Sequence, residues 1–221
     1  MIKHHPSLSL LSNFSQGQLS ASLSIAVSAH LELCKQCQQQ VMQQEEVAMR
    51  QLCDSNIIED DIDFESDSVF DLMLANITED DSELIPNHSE ARHIEIKGQQ
   101  YVLPRALQSV RLSNWLKFGK LARAKVDLNE GEVHANLLHI EAGGAIPPHT
   151  HKGFELTLLL AGNFSDARGD YVAGDFIWLN GTHTHSPETQ LGCLCYTVAN
   201  DALHFTQGIS KALNPIGKLI Y

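Results

Sequence analysis

Residues 143–162 read GGAIPPHTHKGFELTLLLAG, and the fold of this 221-residue chain turns on them. His149 and His151 stand two apart in what reads as a strand, so both side chains point to one side of it. Glu155 rejoins that side after Lys152-Gly153-Phe154. Residues 155–160 then run on as an apolar strand closed by Gly162. Further along, residues 174–187 read GDFIWLNGTHTHSP and bring His183 and His185 behind a second Gly-Asp turn. Imidazole and carboxylate together suit zinc, manganese or iron.

More short strands surround this stretch, at 93–96, 101–103, 124–127, 133–140, 176–178 and 193–198, with glycines such as Gly131, Gly169 and Gly181 at the turns. That rhythm predicts a small β-barrel or double-sheet jelly roll. Cys193 and Cys195 share strand parity and are expected to face the barrel interior near the metal ligands. The two tryptophans, Trp115 and Trp178, read as core residues.

Before residue 93 the pattern is helical. Leu8, Leu10, Leu11 and Phe14 recur at helical spacing until Gly17, and further helices are expected at 20–33 and 36–52. An acidic linker at 54–68, a short amphipathic helix at 68–76 and a polar linker at 79–91 follow. The helical part carries a second ligand set, His30-x-x-x-Cys34-x-x-Cys37. His30 and Cys34 share a helix face, and Cys37 closes on the same point as the helix ends. Three ligands leave a tetrahedral zinc site one short, and His4 or His5 supplies the fourth if the first helix packs back. A zinc–thiolate staple suits a helical unit of about 50 residues, which has little core of its own.

Charge separates the two halves. Residues 1–90 hold 16 Asp/Glu against Lys3, Lys35 and Arg50, a net of −13. The remaining 11 acids face 12 Lys/Arg, a net of +1, and the two sum to the chain's −12. Direct nucleic-acid binding is not expected from so acidic a front half, whereas a basic protein complements it. No apolar run reaches a membrane span, and no secretion signal opens the chain. Five cysteines, two of them in a CxxC, fit a reducing cytoplasm.

The His-x-x-x-Cys-x-x-Cys signature with the upstream His-His resembles the zinc-binding anti-sigma factors, and within them the ChrR type. Residues 143–162 resemble the first cupin motif. Residues 174–187 resemble the second, with Asn180 where that family usually has proline. The resemblance implies an α + β multidomain chain: a zinc-stapled helical bundle with its acidic linker (1–85), a cupin jelly roll (92–200) and a C-terminal extension (201–221). It implies an N-terminal zinc site of His5, His30, Cys34 and Cys37, with His4 the alternative to His5. It also implies a cupin site of His149, His151, Glu155 and His185, with His183 the alternative to His185. Zinc, or manganese or iron, would fill the cupin site. The function implied is that of a cytoplasmic, non-enzymatic anti-sigma factor. It would hold one extracytoplasmic-function sigma factor 1:1 and release it on an oxidative signal, such as singlet oxygen, sensed through the cupin. The helix at 68–76 would add to the sigma contact. The alternative is a metal-dependent cupin enzyme, a dioxygenase or isomerase.

Overall fold

Ser7 opens the first helix, α1 (Leu8–Ser15), by accepting the Leu10 N–H on its hydroxyl at 3.2 Å. α2 (Ala21–Leu33) follows Ser20, and its Ser22 N–H is met from far along the chain by Glu130 Oε1 at 3.0 Å. A carboxylate at a helix N-terminus also suits the helix dipole. Cys34, extended at φ −122° and ψ 98°, separates α2 from α3 (Lys35–Asp54). The Cys-x-x-Cys pair therefore straddles a helix junction. α4 (Ser68–Thr78) takes the place of the short helix expected at 68–76.

This computed structural model describes residues 1–54, 68–78, 91–150, 153–181, 183–200 and 204–205. His151, most of the two expected linkers and nearly all of 201–221 lie outside the described residues. Residues 1–44 pack with 91–221 in one unit, and 45–90 form another. Packing thus divides the chain differently from charge. Among the described residues no helix is long and apolar enough to cross a membrane.

The larger unit continues with the hairpin β1 (His93–Ile96) and β2 (Gln99–Val102), then the single turn α5 (Arg105–Gln108). The main strands are β3 (Leu116–Phe118), β4 (Leu121–Val126), β5 (His134–Ile140), β6 (Gly144–Ala145), β7 (His149–Thr150), β8 (Phe154–Asp166), β9 (Gly169–Val172), β10 (Phe176–Asn180), β11 (Glu188–Thr189), β12 (Cys193–Ala199) and β13 (His204–Phe205). Their order is β3-β4-β5-β12-β8-β11-β6, with β9 and β10 also on β8 and β13 on β7, all antiparallel. This is the expected cupin jelly roll.

Both faces of the middle strands are covered, so β5 and β12 are buried almost from end to end, as is the first half of β8 in large part. One face gathers Leu137, Leu156, Leu158, Tyr196 and Val198 with Leu11, Ala26, Val27 and Ala29 of the helices. The other gathers Leu138, Ile140, Leu159, Cys193 and Cys195 with Ile177 and Leu179 in the barrel interior. Tyr196 marks the helix side by donating its hydroxyl to the Ser22 carbonyl at 3.1 Å. β8 passes Gly162 at φ +79°, where a Cβ would run into the Gly192 carbonyl. Glycine there lets one 13-residue strand serve both ends of the barrel. Trp178 departs from its expected place in the core. It is 46% exposed and stacks on Phe154 at 4.9 Å, because β10 turns it outward while Ile177 and Leu179 point in.

Candidate metal centres

The first centre forms where three pieces of chain converge. α2 contributes His30 from its last turn, and the α2–α3 junction contributes Cys34 and Cys37. His5 arrives on an extended segment that lies along β10, where Phe176 N–H donates to the His4 carbonyl at 2.9 Å. One nitrogen or sulfur from each of His5, His30, Cys34 and Cys37 falls within 4.8 Å of all the others. His5 Nδ1 sits 3.4 Å from Cys34 Sγ and 3.3 Å from Cys37 Sγ. Tetrahedral ligands at zinc distances lie roughly 3.5 Å apart, so the spacing fits a metal. His30, Cys34 and Cys37 are all buried.

His30 Nδ1–H donates to the Gly174 carbonyl at 2.7 Å, and its buried Nε2 has no hydrogen-bond partner. Burial holds this imidazole down at about 4, more than the Gly174 bond offsets, and nearby His5 adds to the lowering. A neutral ring with Nδ1–H engaged offers its Nε2 lone pair inward, as a metal-bound histidine does. Burial, and then the neighbouring Cys34 thiol, push the Cys37 thiol up to about 12. Nothing but a cation would make two buried thiolates favourable there.

Asp175 frames this centre from the barrel. It is 0% exposed, and its Oδ1 accepts the backbone N–H groups of Lys3 and His4 at 2.7 and 2.9 Å. Its Oδ2 accepts Val172 N–H at 2.8 Å. The two residues of the Gly174-Asp175 turn thus fix the His30 ring and the segment that presents His5. Gly174 adopts φ +96°, and a Cβ on it would collide with Ile2. The sequence alone marks this pair only as a turn. Its hint was the Gly-Asp start of the second cupin motif; the partners lie about 145–170 residues away. His4 points elsewhere, with its ring 5.0 Å from that of Tyr171.

The second centre lies inside the barrel. His149, Glu155 and His185 are 1%, 4% and 8% exposed and bring ligand atoms within 4.8 Å. His149 and His185 exchange backbone N–H bonds at 3.1 Å each, which brings their rings to 4.2 Å at a tilt of 51°. His149 Nδ1–H donates to the Pro147 carbonyl at 2.9 Å, leaving Nε2 for the interior. His185 Nε2 lies 3.1 Å from Glu155 Oε2. His183 stays outside this group, its Nδ1 3.4 Å from the Asn180 carbonyl. Free space among these residues is about 30 Å³, lined also by Cys195. Cys193 and Cys195 are fully buried, and the Cys193 contact followed by burial raises the Cys195 thiol well above its usual value. Both groups of side chains have the make-up to hold a metal ion.

Residues 105–202 match the ChrR cupin-like domain. Along 99% of both chains, the sequence is 29% identical to the anti-sigma-E factor ChrR of Cereibacter sphaeroides. A solved structure of Rhodobacter sphaeroides SigE in complex with the anti-sigma ChrR matches with a TM-score of 0.64 and 26% identity, over 90% of this chain and 100% of that one. An RmlC-like cupin of Ralstonia eutropha JMP134 matches at 15% identity and a TM-score of 0.39, over 42% of this chain and 67% of its own. The domain match and the end-to-end likeness agree: the chain resembles ChrR along its whole length, and residues 105–202 match the ChrR cupin-like domain.

Proposed function

We propose that the chain is a cytoplasmic anti-sigma factor that holds one extracytoplasmic-function sigma factor 1:1 and releases it on an oxidative signal sensed through its cupin domain. The end-to-end likeness to ChrR carries this reading, since the solved ChrR relative is bound to SigE. Residues 1–85 would make the sigma contact, residues 92–200 the sensor, and 201–221 an extension. α4 supplies a suitable surface, because Phe70, Met73, Leu74 and Ile77 form an i, i+3, i+4, i+7 stripe, each at least half exposed. Such stripes dock in apolar grooves. Acidic residues on either side of it, such as Glu65, Asp67, Glu79 and Asp80, favour a basic partner.

His5, His30, Cys34 and Cys37 would ligate zinc, which thiolate and imidazole favour. His149, His151, Glu155 and His185 would hold zinc, manganese or iron. A metal held by Glu155 would be linked to the sigma clamp through the barrel itself. Glu155 pairs with Leu179 in the β8–β10 ladder, and β10 begins beside the turn that holds His30 and His4. A change of ligation at Glu155 therefore has a continuous hydrogen-bonded route to the first centre. The enzyme reading finds little room. About 30 Å³ beside His149, Glu155 and His185 holds one or two waters rather than an organic substrate.

The test is a pull-down of the sigma factor with the full chain. Met73→Glu and Ile77→Glu are each expected to weaken sigma binding roughly tenfold or more while helix content stays. Full-strength binding by both variants would refute a role for α4, and failure of the wild-type chain to retain any sigma factor would refute the function. In a second measurement, His185→Ala is expected to lower metal content from two ions per chain to one and to leave the thiolate site loaded. Two ions in that variant would remove His185 from the ligand set.

A further inference from the structure

A cavity of about 710 Å³ opens where the N-terminal segment crosses the barrel, on the outer side of the segment that carries His5 into the first metal centre. Its size lies within the roughly 300–1,000 Å³ range of small-molecule sites. The exposed Lys3 and Arg168 line it together with Tyr171, Trp178, His4 and His5. No Asp or Glu is among the lining residues, in a chain with 27 acids against 15 Lys/Arg. Neither Lys3 nor Arg168 has an ion-pair partner among the described residues. The nearby Asp166 carboxylate is already engaged, accepting the Arg168 backbone N–H at 2.8 Å and the Tyr171 hydroxyl at 3.2 Å. Trp178, 46% exposed, presents an aromatic surface that the fold itself leaves uncovered.

We propose that this cavity binds a small amphipathic anion, an apolar or aromatic body carrying one carboxylate, sulfonate or phosphate group. The anionic group sits between Lys3 and Arg168, and the body lies on Tyr171 and Trp178. Two unpaired cations over an aromatic wall reward a single negative charge with an apolar tail more than either part alone. The wall includes the segment that presents His5, so an occupant touches the edge of the first metal centre. The proposal does not depend on the sigma reading.

The experiment titrates the full-length protein with 8-anilino-1-naphthalenesulfonate and with N-phenyl-1-naphthylamine, the same skeleton without the sulfonate. Dye fluorescence and quenching of Trp178 in a Trp115→Phe background report binding, and circular dichroism confirms that each variant is folded. One saturable site is expected for the sulfonate, weakening with added salt. Arg168→Glu and Lys3→Glu should each weaken it about tenfold, and the neutral dye should bind at least about tenfold more weakly. The proposal is overturned if no saturable binding occurs, or if the neutral dye binds equally well. It is also overturned if both charge reversals leave the affinity within twofold, as dye gathered on exposed helix faces would.

Discussion

Cys37→Ser is expected to empty the first metal centre and to melt much of the helical structure in residues 1–44. The Cys37 thiol is 1% exposed and 3.3 Å from His5 Nδ1. Serine offers a hard, protonated oxygen on a shorter bond. If four ligands share roughly 10–16 kcal/mol of structural zinc binding, one is worth about 3–4 kcal/mol, a several-hundredfold loss of affinity. Apart from their packing on the barrel face of Leu137, Leu156, Leu158, Tyr196 and Val198, the helices have little to fall back on, because Leu11 is the one large aliphatic side chain they bury completely. Metal analysis, the thiolate absorption of the cobalt-loaded protein and far-ultraviolet dichroism check this. A Cys37→Ser chain that keeps its helix content and its metal affinity would defeat the assignment.

Asp175→Asn should strike the same centre from a distance. The carboxylate is fully buried and accepts three backbone N–H groups, two of them on the segment presenting His5. Asparagine turns one acceptor oxygen into a donor, which must then face an N–H. Losing a bond to a buried charged group costs about 1–3 kcal/mol. Outer partners of metal ligands typically govern roughly 10–100-fold in affinity, and a loss in that range is expected here. Competition with a chelator measures it, and the cobalt thiolate band isolates the first centre from the second. Unchanged affinity at the thiolate site would show that the turn merely closes the barrel.

Much of this was legible in the residues. β1 runs over 93–96 as expected, because alternation and a following turn leave little choice of register. β8 was read as 155–160 but continues to Asp166, since Gly162 accommodates a close neighbour instead of ending the strand. His5 joins the cysteines and His4 does not, because neighbouring side chains on an extended segment face opposite ways. His185 reaches Glu155 because it bridges to His149, whereas His183 stays near the Asn180 carbonyl. The Gly174-Asp175 connection left no trace in spacing, since its partners are joined only by packing. Trp178 faces outward rather than into the core, because hydrophobic character alone does not say which face of a strand a residue occupies.

The close packing of Ile2 over Gly174 bears on how such chains can be recombined. The helical front and the barrel do not behave as interchangeable modules, because Ile2 packs over Gly174, whose φ of +96° favours glycine, and the His4–His5 segment needs the acid beside it. A hybrid that joins the front of one relative to the barrel of another would inherit a mismatched seam unless it carried this pair of positions along with the first residues of the chain.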